Sequence, residues 1–113
     1  MRVVEINDGT KVDYEVIGNK IFFNDELMLN LEKYERDEDQ FIDICENENF
    51  ALTTGLGRKY VAQIEIPARK YKEVVKKENV ENEEGVIESK ETTIKELIPF
   101  NVNDVTLNLW GLE

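Results

Sequence analysis

Lys59-Tyr60-Val61-Ala62-Gln63-Ile64-Glu65-Ile66-Pro67-Ala68-Arg69-Lys70-Tyr71-Lys72-Glu73-Val74-Val75 is the stretch on which the fold turns. Over its first half Tyr60, Ala62, Ile64 and Ile66 alternate with Val61, Gln63 and Glu65, the period-two signature of a half-buried strand. No other run in the chain alternates for so long, and shorter strand-like runs flank it on both sides. Pro67 then interrupts it, which marks an edge, a bulge or a change of sheet. Beyond the proline, Ala68, Tyr71, Val74 and Val75 fit a helical stripe as well as a strand, so 68–77 stays open between the two. A mirror partner downstream favours strand.

That partner is the segment after Asn82-Glu83-Glu84-Gly85. With those four residues as the turn, Val80 faces Ile87, Lys76 faces Glu91, Val75 faces Thr92, Glu73 faces Ile94 and Tyr71 faces Glu96. The same register sets Lys72 against Lys95 and Lys77 against Lys90, and like charges directly opposite are unfavourable. Arms this rich in charge specify their register weakly and can slip by a residue or two. A hairpin over 68–99 with its turn near 82–85 is expected to project as a charged arm, its tip at 77–85 a candidate for disorder.

Upstream, Val3 to Ile6 is closed by Asn7-Asp8-Gly9 and resumes at Lys11 to Ile17, with Val12, Tyr14 and Val16 on one face. Two strands joined by an Asp-Gly turn are the simplest account. Gly18-Asn19 separates Ile17 from Ile21-Phe22-Phe23 and gives a second hairpin signal. Residues 26–36 are ambiguous: Leu27, Leu29 and Leu31 alternate as a strand, whereas Leu27, Met28, Leu31 and Tyr34 fit a helix with Asp25 as its N-cap. We read a strand, with Phe41 to Cys45 as its return partner, Asn47-Glu48-Asn49 as a turn and Phe50 to Thr54 as the next strand. Pro99 ends the hairpin, and Val105 to Trp110 makes the last strand, with Val105, Leu107 and Leu109 inward. Trp110 falls on the opposite face, exposed unless the arm, a terminus or another subunit covers it. The expected fold is all-β: one antiparallel domain over 1–113 of about 7–9 strands in meanders and hairpins, closed as a sandwich or a partly open barrel, with a long charged hairpin arm.

A chain of 113 residues suffices for one domain with one core. Its net charge of −11 repels nucleic acid and anionic membrane alike. The charge is uneven, since 1–57 carry 14 acids and 5 bases, 58–77 carry 2 acids and 7 bases, and 78–113 carry 9 acids and 2 bases. A basic band thus sits inside an acidic molecule. We read Arg69, Lys70, Lys72, Lys76 and Lys77 as complements to acids across the sheet, the competing reading being a docking strip for an acidic partner. One cysteine, Cys45, excludes an intramolecular disulfide and suits a reducing compartment. No apolar run approaches the ~20 residues of a membrane helix, and Arg2 and Glu5 come too early for a signal peptide, so a cytoplasmic protein is expected. Whether Leu112-Glu113 are native or a vector-derived remnant stays open, and they carry no weight.

Reaction chemistry is hard to assemble from these residues. There is no histidine, the commonest general base and metal ligand. Asp37, Glu38, Asp39, Asp43, Glu46 and Glu48 crowd the segment 35–48, but a solvated loop of acids does not separate carboxyl environments, and the EF-hand spacing with its central glycine is missing. Whether that loop holds a cation stays open, with a solvated loop the preferred reading. Ser89 is the sole serine and lies in the charged arm, while Cys45 lacks the electropositive surroundings that make a thiol a nucleophile. Gly55-Leu56-Gly57-Arg58 matches no phosphate-loop spacing and reads as a turn. Arg58, Lys59, Tyr60, Arg69, Lys70 and Tyr71 interleave bases with aromatics as a single-strand platform does, but the acidic segments on either side argue against that use.

Ile-Asp-Ile-Cys at 42–45, Gly-Leu-Gly-Arg-Lys-Tyr-Val-Ala at 55–62, Ile-Pro-Ala-Arg-Lys-Tyr at 66–71 and Val-Thr-Leu-Asn-Leu-Trp at 105–110 together resemble small uncharacterised proteins of prophage-like and related mobile regions in Gram-positive anaerobes. The likeness covers about the last two thirds of the chain, and its motifs are strands and turns. It implies a phage-derived or mobile-element protein, virion-associated in that case, and carries no catalytic residue across.

The expectation is a non-enzymatic module that binds another protein or itself, with no catalytic residue, no metal, no cofactor, no direct nucleic acid, no membrane and no small-molecule substrate. Trp110, Tyr71, Arg69, Lys70, Lys72 and Arg58 are its candidate contacts. The alternative is an acidic decoy that occupies the nucleic-acid site of another protein, motivated by the net charge of −11.

Overall fold

The computed structural model describes residues 1–112. In chain order the strands are β1 (Arg2–Glu5), β2 (Tyr14–Ile17), β3 (Lys20–Phe23), β4 (Leu27–Asn30), β5 (Gln40–Glu46), β6 (Leu52–Thr54), β7 (Lys59–Ile66), β8 (Tyr71–Glu81), β9 (Ile87–Leu97) and β10 (Thr106–Leu109). Single turns of 3₁₀ helix cover Leu31–Tyr34 and Val102–Asp104. The chain divides into two compact units, Met1–Arg69 with the segment from Phe100 onward, and Lys70–Pro99.

The first unit holds a five-stranded sheet in the order β1-β10-β7-β5-β6 and a three-stranded sheet in the order β2-β3-β4. Strand β7 lies at the centre of the larger sheet, antiparallel to β5 on one side and β10 on the other. Its alternation puts Ala62, Ile64 and Ile66 on the core face, level with Ile42 and Ile44 of β5 and Leu107 and Leu109 of β10. Ile21, Phe23 and Leu29 of the smaller sheet and Leu31 after it join the same buried cluster. The two sheets therefore share one core and form no closed barrel. Each such side chain, once buried, contributes roughly 1.5–3 kcal/mol of transfer free energy.

Several local expectations need correction. The Asp8-Gly9 turn does not join β1 to β2: β1 pairs with β10, in parallel, and β2 pairs with β3. The loop after β1 instead clasps the end of the chain, with the Ile6 amide donating to the Leu109 carbonyl at 2.8 Å, the Gly111 amide to Asn7 Oδ1 and the Leu112 amide to the Thr10 carbonyl at 2.8 Å. Leu112 is half-buried against the core and belongs to the fold, while Glu113 lies outside the described residues.

Residues 26–36 follow the strand reading as far as Asn30, and a single 3₁₀ turn over Leu31–Tyr34 replaces both the rest of that strand and the helical stripe. Strand β4 returns along β3 through a three-residue turn in which Asn24 and Asp25 take φ of 52° and 55°. Asp25 is a turn residue, not an N-cap, and β5 is no return partner of β4 because it belongs to the other sheet. The β2–β3 hairpin matches the sequence reading, with Gly18 supplying φ of 59°.

The alternation of β7 also breaks at one point. Ile44 pairs with Ala62 but Cys45 pairs with Tyr60, so Val61 is an extra residue, a β-bulge. Val61 and Ala62 are both buried, and Tyr60 is turned off the core face on which strict alternation places it.

The second unit is the hairpin β8–β9. Its register pairs Tyr71 with Leu97, Val75 with Thr93 and Glu81 with Ile87, one residue away from the expected pairing. The shift comes from the turn, which has five residues: the Asn82 amide donates to the Val86 carbonyl at 2.9 Å, and Asn82 Oδ1 accepts from the amides of Glu84 and Val86, each at 3.0 Å. Gly85, at φ 77°, lets the chain close. One residue of slip removes both like-charge clashes, because Lys72 now faces Glu96, Glu73 faces Lys95, Lys77 faces Glu91 and Glu78 faces Lys90. Segment 68–77 is thus strand from Tyr71 on.

Candidate interaction surface

The acids of 35–48 do not converge. Asp37 and Glu35 each lie 3.7 Å from the Arg69 guanidinium, Asp39 Oδ1 accepts the Ala68 amide at 2.8 Å, Asp43 Oδ1 accepts from Gln63 Nε2 at 3.0 Å, and Glu46 meets Arg58 at 3.3 Å. Among the described residues no three acidic or sulfur side chains gather as a metal cluster would require. Cys45 is a fully buried free thiol beneath Gly57, where an added Cβ would stand 2.8 Å from the Cys45 Cβ. The Gly55-Leu56-Gly57 segment is a turn, its Gly55 amide donating to the Asp43 carbonyl at 2.8 Å.

The outer face of the large sheet follows from the same registers. Asp43 and Cys45 of β5, Tyr60, Gln63 and Glu65 of β7, and Thr106 and Asn108 of β10 share the side turned away from the core, with Trp110 next along. Trp110 is half-buried against Tyr60, ring centroids 5.5 Å apart and planes tilted by 34°, and its amide donates to the carbonyl of the bulged Val61. An aromatic pair at this spacing adds roughly 0.5–1.5 kcal/mol beyond area burial. The bulge makes the pair, because only the displaced Tyr60 reaches the tryptophan. Tyr60 therefore covers Trp110, a contact that the sequence reading missed; two adjacent apolar residues, Val61-Ala62, were the available sign of a bulge. The Tyr60 hydroxyl is held above its ordinary value of 10.0, first by desolvation and then by the neighbouring Asp43 and Cys45.

Arg58 is stacked on the exposed Phe50 at 5.0 Å and paired with Glu46. A shallow hollow of about 270 Å³ is lined by Asp39, Phe41, Glu65, Pro67, Asp104 and Thr106.

No family model, curated protein or solved structure matches this chain. What the chain offers must be read from its own surface.

Arg69 is engaged inside the first unit by Glu35 and Asp37, and its amide donates to the Arg36 carbonyl at 2.8 Å. Lys70, Tyr71 and Lys72 open the hairpin unit, the Lys70 carbonyl accepting the Ile98 amide at 2.8 Å. Of the six candidate contacts, then, Trp110, Arg58 and Arg69 belong to the first unit, Arg69 in ion pairs with Glu35 and Asp37, Lys70 immediately precedes β8, and Tyr71 and Lys72 lie on it. Among the described residues the hairpin sheet has two strands, so each keeps one flank without a strand neighbour. No residue of Lys70–Pro99 is buried, and Tyr71, Val75 and Ile87 are 48%, 56% and 69% exposed. Among the described residues no helix is long and apolar enough to cross a membrane.

Proposed function

We propose that this chain is a non-enzymatic protein-binding or self-assembling module that works by strand addition at its hairpin. One observation carries the reading: two eleven-residue strands form a sheet of two, with open flanks and no buried side chain. An isolated two-stranded hairpin is marginal in water, and open strand edges are templates for another strand. Natural sheets blunt such edges with proline or bulges, and neither occurs within β8 or β9, although their lysines offer partial protection. A role as a phage-derived or mobile-element component agrees with a module of this kind.

The test replaces residues 72–96 by a short Gly-Ser linker and compares self-association and capture of host proteins with the parent chain. Loss of both, with the first unit still folding cooperatively, supports the reading; unchanged association assigns binding elsewhere. The alternative of an acidic decoy draws on the net charge of −11 and predicts salt-sensitive capture of a DNA-binding protein, unaffected by the replacement.

A further inference from the structure

The charge pattern of the hairpin says which strand its open edge accepts. Around the rung formed by Val75 and Thr93, β8 carries Lys72 and Glu73 on one side and Lys77 and Glu78 on the other. Counted outward from Val75, the second position holds Glu73 on one side and Lys77 on the other, and the third holds Lys72 and Glu78. While Lys76 falls opposite the uncharged Val74, among these four the pattern is antisymmetric, each having its opposite at the same distance across the centre. That is the condition for a strand to pair antiparallel with a copy of itself about a two-fold axis.

The backbone obeys the same axis. In an antiparallel ladder hydrogen-bonded pairs alternate with non-bonded ones. Lys70 with Ile98 and Asn82 with Val86 are bonded pairs, so the even-numbered residues of β8 bond to β9 and the odd-numbered ones, Tyr71 through Glu81, turn their N–H and C=O outward. Val75, at the centre of the charge pattern, is therefore an outward-bonding residue and can exchange both bonds with its own copy.

We infer that the β8 edge binds the β8 edge of a second copy of this chain, Val75 against Val75, making one four-stranded sheet from two hairpins. Lys72 then faces Glu78 of the copy, Glu73 faces Lys77, and the symmetry repeats each pair. Because the hairpin itself already opposes charges, these rungs become alternating rows across four strands: Glu96, Lys72, then Glu78 and Lys90 of the copy, and Lys95, Glu73, then Lys77 and Glu91 of the copy. The β9 edge has a similar pattern about Thr93, but apolar burial selects β8, where a valine that is 56% exposed lies on the axis in place of a threonine.

This inference rests on the reading of the hairpin as a binding edge, and it is tested on the full chain by sedimentation equilibrium over a wide concentration range at low salt. Val75→Pro removes an outward donor and no bond within the hairpin, a position where an edge strand accepts proline; Thr93→Pro does the same on the other edge. The expected result is a dimer whose affinity weakens at least about tenfold, the equivalent of roughly 1.4 kcal/mol, in Val75→Pro and is unchanged in Thr93→Pro. Val75→Cys should also give a disulfide-linked dimer under mild oxidation while Thr93→Cys does not. A parent chain that stays monomeric throughout, or a dimer lost in Thr93→Pro and kept in Val75→Pro, overturns the inference. A monomeric chain whose capture of a different protein still fails in Val75→Pro sinks the dimer alone, whereas a monomer with no association sensitive to either proline sinks the reading of the hairpin as well.

Discussion

The two units of this chain use the same period-two backbone pattern with different side chains. In the first, apolar residues alternate with polar ones, so Ala62, Ile64 and Ile66 are buried at 0–1% exposure and one core cluster fixes strand order and register together. In the hairpin, charges alternate with charges: Lys72, Glu73, Lys77 and Glu78 meet Glu96, Lys95, Glu91 and Lys90. Burial specifies the first unit with several kcal/mol per residue, whereas each exposed ion pair contributes roughly 0.2–1 kcal/mol. A hairpin held so lightly gains most from another strand along its edge.

Substitutions at matched positions sharpen that contrast. Ile64→Ala in β7 should destabilise the first unit by about 3–4 kcal/mol, read from urea unfolding followed by Trp110 fluorescence. Val75→Ala at the middle of β8 should change that transition by less than about 0.5 kcal/mol, since the side chain is exposed. A hairpin substitution that shifts unfolding as far as the core one does would break the distinction. Gly111→Ala comes next: an added Cβ would run into the Asp8 carbonyl oxygen, and both backbones are tied by the clasp, so a loss of about 2 kcal/mol is expected in the same assay.

Within the hairpin, Asn82→Ala removes the acceptor of two turn amides and should cost about 1 kcal/mol of local stability. It should show as faster exchange of the even-numbered β8 amides with no change in the first unit. The smallest effect is electrostatic. With its folded value raised, Tyr60 contributes stability fully present below pH 10.0, and that stability is lost as pH rises through the folded value. The phenolate absorbance phase missing from Tyr60→Phe should therefore have its midpoint above pH 10.0; a midpoint below it would remove the desolvated pairing with Trp110 from the account.

How much was legible beforehand follows the same divide. Where apolar residues alternate, the strands could be read directly, as at Ile64 and Leu107, because burial enforces the period. Partners were harder, since Val3 pairs with Leu107 across a sequence distance that no local signal reports, and the Asp8-Gly9 turn serves a clasp instead of a hairpin. Val61-Ala62 concealed a bulge, so Tyr60 was assigned to the core and its contact with Trp110 went unseen. In the hairpin the strands were legible and the register missed by one, because it depends on how Asn82 closes its turn. The surviving clue was electrostatic: Lys72 against Lys95 was the wrong answer, and the charges said so. Of the candidate contacts, Arg69 was read first as a complement to acids and second as part of a docking strip, and Glu35 and Asp37 do engage it.

Residue-resolved amide exchange of the full chain at rising concentration addresses the hairpin edge most directly. Even-numbered amides from Lys72 to Val80 should be protected at every concentration, while those of Glu73, Val75 and Lys77 should become protected as concentration rises and the odd-numbered β9 amides stay open. Equal, concentration-independent exchange at Val75 and Thr93 would contradict the account.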